Sequence, residues 1–234
     1  MSTAERLTAV MAEIRAKGSA ENRAGMSRYG INTADACGVS VYELRRLAKP
    51  LGVDHELALA LWDTGNHEAR LLAGMVDDPD RVTPRQMDAW AAAFDSWDVC
   101  DQVTSNLFDK TPWAYDKVHE WSSAEDEWVK RAAFATAAAL AVQDKAAADE
   151  RFLEILEIVQ REAGDGRNFV KKAVNWALRN VGKRNLRLHA AAIETAEALA
   201  AVDRKDPAAR SARWVARDAL RELRSEKVLR RLAR

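Results

Sequence analysis

The sequence is poor in the residues that organise most metal, disulfide and cofactor chemistry. Its two cysteines, Cys37 and Cys100, stand far apart and alone, which excludes a disulfide framework and a thiolate metal site. The four histidines, His55, His67, His119 and His189, show no metal-ligand spacing. No metal site built on cysteine or histidine is therefore expected. No run of about 18 apolar residues exists, so no membrane span is expected. The opening MSTAERLTAVMAEIRAKG carries charge throughout and lacks the apolar centre of a signal peptide. With the isolated cysteines, this predicts a reduced, cytoplasmic protein. The Walker phosphate loop, the G-x-S-x-G elbow and the H-E-x-x-H zinc motif are all missing. Alternating strand patterns are missing too. An enzyme built from this sequence must work with carboxylate, indole and cationic groups.

What is present is a helical pattern. The 234 residues are 48% hydrophobic and 31% charged, a globular balance with enough chain for a sizeable core. Helices are expected over 3–17, 40–51, 54–63, 67–76, 84–94, 98–109, 112–121, 125–142, 146–163, 167–183, 187–202 and 207–224. Ser40, Asp54, Asn66 and Thr83 read as N-caps. Pro84 and Pro112 suit a first helical turn, and Gly52, Gly65 and Gly164 mark ends. Residues 18–39 are the least regular, with room for one short helix. No Pro/Gly/Ser linker divides the chain, so 1–234 reads as a single domain. Consecutive helices joined by short turns predict an all-α fold, an α-solenoid of HEAT-like antiparallel pairs with a concave groove. A globular helical bundle is the alternative.

Net charge is zero, but it is segregated. Residues 165–234 hold 18 Lys+Arg against 8 Asp+Glu, and residues 1–164 hold 18 against 28. The C-terminal third can attract a polyanion.

Four stretches carry candidate chemistry. In VKKAVNWALRNVGKR, residues 170–184, a helical wheel places Lys172, Trp176, Arg179 and Lys183 within roughly 60°. Val170, Val174, Ala177, Leu178 and Val181 fall opposite, on the side that faces a core. Trp176 either packs under the long basic side chains or belongs to a surface for nucleic acid. In FDSWDVCDQV, residues 94–103, Trp97 and Asp101 share a face at the start of a helix, with Asp98 between them. The acids either complement the helix dipole or hold a carboxylate beside an indole. In DEWVKRAAF, Arg131 pairs with an acid or contacts phosphate. MSRYGI puts Tyr29 in the irregular N-terminal stretch. By contrast, Glu68 and Arg70 in LWDTGNHEARLLAGMV read as structural.

Taken in order, MSRYGI, SWDVCD, EWVKRAAF and FVKKAVNWALRNVGKRN resemble the AlkD-like DNA alkylation repair family. The likeness spans about residues 22–222. It implies a HEAT-like DNA glycosylase that removes N3- and N7-alkylated purines from double-stranded DNA without a flipped-base pocket and with no metal or organic cofactor. It implies catalytic roles for Asp101, Trp97 and Trp176. It implies DNA contacts for Tyr29, Arg131, Lys172, Arg179 and Lys183. The protein is then expected to act as a monomer associated with the nucleoid. The alternatives are a non-catalytic DNA-binding module and a HEAT-type protein scaffold.

Overall fold

A computed structural model describes residues 1–203 and 205–233. Among them the chain forms fourteen α-helices and no strand. Among the described residues no helix is long and apolar enough to cross a membrane. The chain divides into two compact units, Met1–Ala114 and Tyr115–Arg234.

The first unit holds α1 (Thr3–Ala16), α2 (Ala20–Ser27), α3 (Val41–Leu51), α4 (His55–Asp63), α5 (His67–Val76), α6 (Pro84–Ala92) and α7 (Trp97–Asn106). The side chains of Ser40, Asp54, Asn66 and Thr83 each accept from a backbone N–H three residues on, and Pro84 opens α6. Thus local capping sets these starts. Helix α2 occupies the irregular stretch, capped by Ser19. The helix expected over 98–109 starts at Trp97 and breaks at Leu107, followed by a 3₁₀ turn over Phe108–Lys110. Leu107 and Phe108 are fully buried, so core packing overrides the continuous helix there.

Helix α5 is the hub of this unit, touching α1, α3, α4 and α7. Its sequence HEARLLAGMV is buried nearly all round, as a hub requires. Gly74 lets α7 approach closely, since a Cβ there would meet the Val103 side chain at 3.1 Å. Beside the hub, Trp62 stacks on Trp90 with ring centres 4.1 Å apart, and Phe94 and Phe108 complete the cluster. Arg70 covers the Trp62 ring at 4.8 Å and pairs with Asp95 at 3.2 Å. That accounts for Arg70 as a packing residue.

Asp109 ends this core as a discordant group. It is 7% exposed, and neither carboxylate oxygen has a hydrogen-bond partner among the described residues. Burial pushes its carboxyl up to about 6, against the opposing pull of Lys110. The folded state then binds this proton more tightly than the unfolded chain does. The penalty is absent below the unfolded value near 3.9 and complete once pH rises past about 6. Asp109→Asn is expected to stabilise the protein at pH 7.5 by about 2–3 kcal/mol. Thermal unfolding should show little difference between variant and parent at pH 4. An equal gap at both pH values would rule out the buried charge as the cause.

The second unit holds α8 (Ala114–Trp121) from Tyr115 on, α9 (Glu127–Gln143), α10 (Asp149–Glu162), α11 (Asn168–Val181), α12 (Leu186–Ala201), α13 (Ala209–Leu223) and α14 (Glu226–Leu232). Helix α14 restarts after α13 because Ser225 caps it. Helices α9, α11 and α13 lie side by side in one layer, and α10 and α12 back them in another. This is the stacking of helix pairs that the sequence leads one to expect. The run FATAAALA of α9 is buried, and its small side chains allow α11 to pack tightly. Two buried amides lock the layer: Asn180 donates to the Ala138 carbonyl and Asn175 to the Val215 carbonyl, both at 3.0 Å. Buried Lys130 bridges Glu162 at 2.6 Å and Asp165 at 3.2 Å. Burial alone would raise the Asp165 carboxyl; hydrogen bonds from Arg167 and Lys130 outweigh it and hold it at about 2.

Candidate nucleic-acid interface

In the first unit the candidate residues gather at the start of α7. Ser96 sits at the N-cap position, but its hydroxyl accepts from the Asn32 N–H at 2.8 Å instead of from the helix. Asn32 also donates to Asp95 at 2.9 Å. The turn before Asn32 needs Gly30 at φ 74°, a left-handed conformation that favours glycine. That turn brings the Tyr29 carbonyl to the Trp97 indole, which donates to it at 3.0 Å. The sequence separation of 68 residues is thereby closed by one bond that also fixes the ring of Trp97. Tyr29 itself is 74% exposed.

Between these elements lies a cleft of about 730 Å³. Met26, Tyr29, Ile31, Val39, Leu71 and Trp97 give it apolar walls, while His67, Asp98 and Gln102 supply polar groups. Asp101 lies outside the lining residues and is half-buried. On the wheel it falls about 40° from Trp97 and about 100° from Gln102, on the side of α7 that carries both. Tyr29, Trp97 and Asp101 therefore come from one neighbourhood.

For two groups of this neighbourhood the partners were not legible from sequence. His67 Nε2 and Asp98 Oδ2 stand 3.0 Å apart, both buried, tying the start of α5 to the start of α7. Asp98 is thus engaged by a side chain 31 residues away rather than by its own helix end alone. Glu68, fully buried, accepts from the backbone N–H groups of Cys37, Gly38 and Val39 at 2.8, 2.6 and 3.1 Å. Gly38 and Val39 belong to the cleft wall, so Glu68 shapes the site without lining it.

In the second unit α11 presents the cationic stripe. Val170, Val174, Ala177, Leu178 and Val181 are fully buried. Lys172 is exposed and Trp176 half-buried. The other two cations are engaged. Arg179 pairs with Glu222 of α13, and Lys183 reaches the same carboxylate at 2.8 Å. Partial burial raises the Glu222 carboxyl, but Lys183 and Arg179 outweigh that and hold it below the usual range. Any phosphate at this stripe must compete with Glu222. Arg131 differs further from the expectation. It is 5% exposed and donates to the Phe169 carbonyl at 2.6 Å, next to the start of α11. Its packing position orders the beginning of the stripe and offers little surface to a phosphate.

Comparison with known proteins bears on both units. A family model described as "DNA alkylation repair enzyme" matches residues 10–223. A solved structure described as "A new family of proteins related to the HEAT-like repeat DNA glycosylases with affinity for branched DNA structures" is 25% identical. The likeness has a TM-score of 0.74 and covers 82% of each chain. No curated protein matches. With its helices arranged as in a HEAT-like repeat fold and most of its length matched, the chain belongs to the DNA alkylation repair enzyme family.

Proposed function

We propose that this protein binds duplex DNA and excises N3- and N7-alkylated purines by hydrolysing the N-glycosidic bond. The observation that carries the reading is the pairing of Trp97 and Asp101 on one side of the first turns of α7, with the indole held in place by the Tyr29 carbonyl. Alkylation at N3 or N7 makes the purine cationic. The C1′–N bond breaks with its electron pair passing to the base, which neutralises that charge. Positive charge then develops on the deoxyribose, water adds at C1′, and its proton passes to solvent. An anionic carboxylate facing C1′ stabilises the developing charge and orients the water. Asp101 takes that role. Trp97 offers its face to the sugar and the cationic nucleotide, a contribution of about 0.5–2 kcal/mol. On the second unit, Trp176 offers an aromatic face of its own to DNA, and Lys172, Arg179 and Lys183 hold phosphates. No base-flipping pocket is invoked. Release of free 7-methylguanine from a methylated duplex tests the reading, and no release with an intact, folded protein overturns it.

A second reading draws on the solved relative, whose description names affinity for branched DNA structures. Here the chain recognises DNA shape without excision. Tight junction binding with no base release would favour it.

Salt dependence follows from the same geometry. Glu222→Gln is expected to free Arg179 and Lys183 for phosphates. The log–log slope of duplex affinity against salt should then steepen, by up to about 0.9 for each additional phosphate neutralised. An unchanged slope would place the duplex away from α11.

A further inference from the structure

Helix α13 carries a second cationic stripe that the α11 surface does not include. At about 100° per residue, Arg210, Arg213, Arg217, Arg221 and Arg224 fall within about 80°. The last two are engaged, Arg221 by Asp218 and Arg224 by Glu197. Arg210, Arg213 and Arg217 make no ion pair among the described residues, and Arg217 donates only to the Arg213 carbonyl at 3.3 Å. With Lys205 they line a cleft of about 570 Å³. Its one acid, Asp206, accepts from the Ala208 N–H at 2.8 Å.

The stripe points away from α11. Helix α13 meets α11 through Trp214, under Lys171 at 4.9 Å, and through Glu222. The middle of the arginine sector is turned roughly 100° from that direction. A rigid duplex seated on Lys172 and Trp176 does not follow such a turn, because DNA is stiff over about 150 bp. Guanidinium groups spaced about one helical turn apart suit phosphates, which they bind in a bidentate way. A membrane is a poorer match, since Val215, Ala216, Ala219 and Leu223 of α13 are fully buried, and the exposed Trp214 is turned from the arginines to lie under Lys171.

We infer that Arg210, Arg213 and Arg217, with Lys205, form a second phosphodiester-binding surface that takes a DNA segment other than the one seated on α11. This rests on the DNA-binding reading above and adds a second surface to it.

The test compares the parent with Arg210→Ala/Arg213→Ala/Arg217→Ala on a short linear duplex and on a four-way junction, which presents two segments at once. The junction slope against salt is expected to fall by about 2–3, near 0.9 for each phosphate no longer held, while the short-duplex slope stays put. A triple Arg→Lys variant should keep most of the junction slope, and matching thermal unfolding of all three excludes misfolding. An unchanged junction slope overturns the inference. So does an equal loss on both probes, which would make the stripe part of the primary surface. Loss of binding confined to anionic lipid vesicles would assign the stripe to a membrane and overturn it as well. A parent that binds neither DNA refutes the DNA-binding reading itself. A parent that binds the duplex while the junction slope ignores the variant refutes only the second surface.

Discussion

Asp101→Asn is expected to fold like the parent and to excise alkylated purines more slowly by roughly 10²–10³, the usual cost of one preorganised electrostatic contact in a transition state. The substitution keeps size and hydrogen-bonding shape but removes the negative charge that opposes the developing charge at C1′. Asp101 is half-buried on α7, and its backbone carbonyl accepts from Ser105 at 2.6 Å. That main-chain bond does not depend on the carboxylate charge. Duplex affinity should change little, because the phosphates are held elsewhere. Single-turnover release of 7-methylguanine, measured beside thermal unfolding, separates the outcomes. Equal rates for variant and parent would remove Asp101 from the chemistry. A rate loss matched by a large drop in melting temperature would make it structural.

The largest effect on stability is expected from Glu68→Ala. Three backbone N–H groups, those of Cys37, Gly38 and Val39, converge on this one buried carboxylate. Hydrogen bonds to a charged group contribute about 1.5–3 kcal/mol each, and buried donors left without a partner add their desolvation cost. The loop cannot easily relax to find new acceptors. Gly38 holds φ 84° and lies so close to Ser19 that a Cβ there would collide with its carbonyl oxygen. A total loss of about 4–6 kcal/mol follows, comparable to the whole stability of many domains. Glu68→Gln keeps an acceptor at weaker, uncharged strength and should fall between the two. Because Gly38 and Val39 wall the cleft beside Trp97, excision should decline with stability. Urea denaturation of both variants decides it. A change below about 1 kcal/mol for the alanine variant would show that the loop holds itself.

Much of the secondary structure was legible because its causes are short-range. The caps Ser40, Asp54, Asn66 and Thr83 act over three residues, and Pro84 acts on its own turn. The inward face of α11 was legible for the same reason, since periodicity alone separates Val170, Val174, Leu178 and Val181 from the cations. The break at Leu107 was not, because it depends on what Phe108 packs against. The arginine stripe of α13 could have been found by the same wheel that revealed α11. Its distinction lies in which arginines make no ion pair among the described residues, and that needs the positions of Asp218 and Glu197.

The sequence by itself determined the helical class, most helix starts and the sidedness of each helix. These follow from hydrogen bonds and spacing within one to four residues. Tertiary structure alone decided which polar groups are available. Arg131 shares the pattern of a surface cation yet is buried against Phe169. Arg179 and Lys183 are claimed by Glu222, roughly forty residues on, and Asp98 is claimed by His67. Partners at such separations are chosen by how whole helices pack, and the pattern within any one helix does not encode that choice. The closure of Tyr29 onto Trp97 is of the same kind: two short motifs become one site only when the turn at Gly30 lays its carbonyl against the indole.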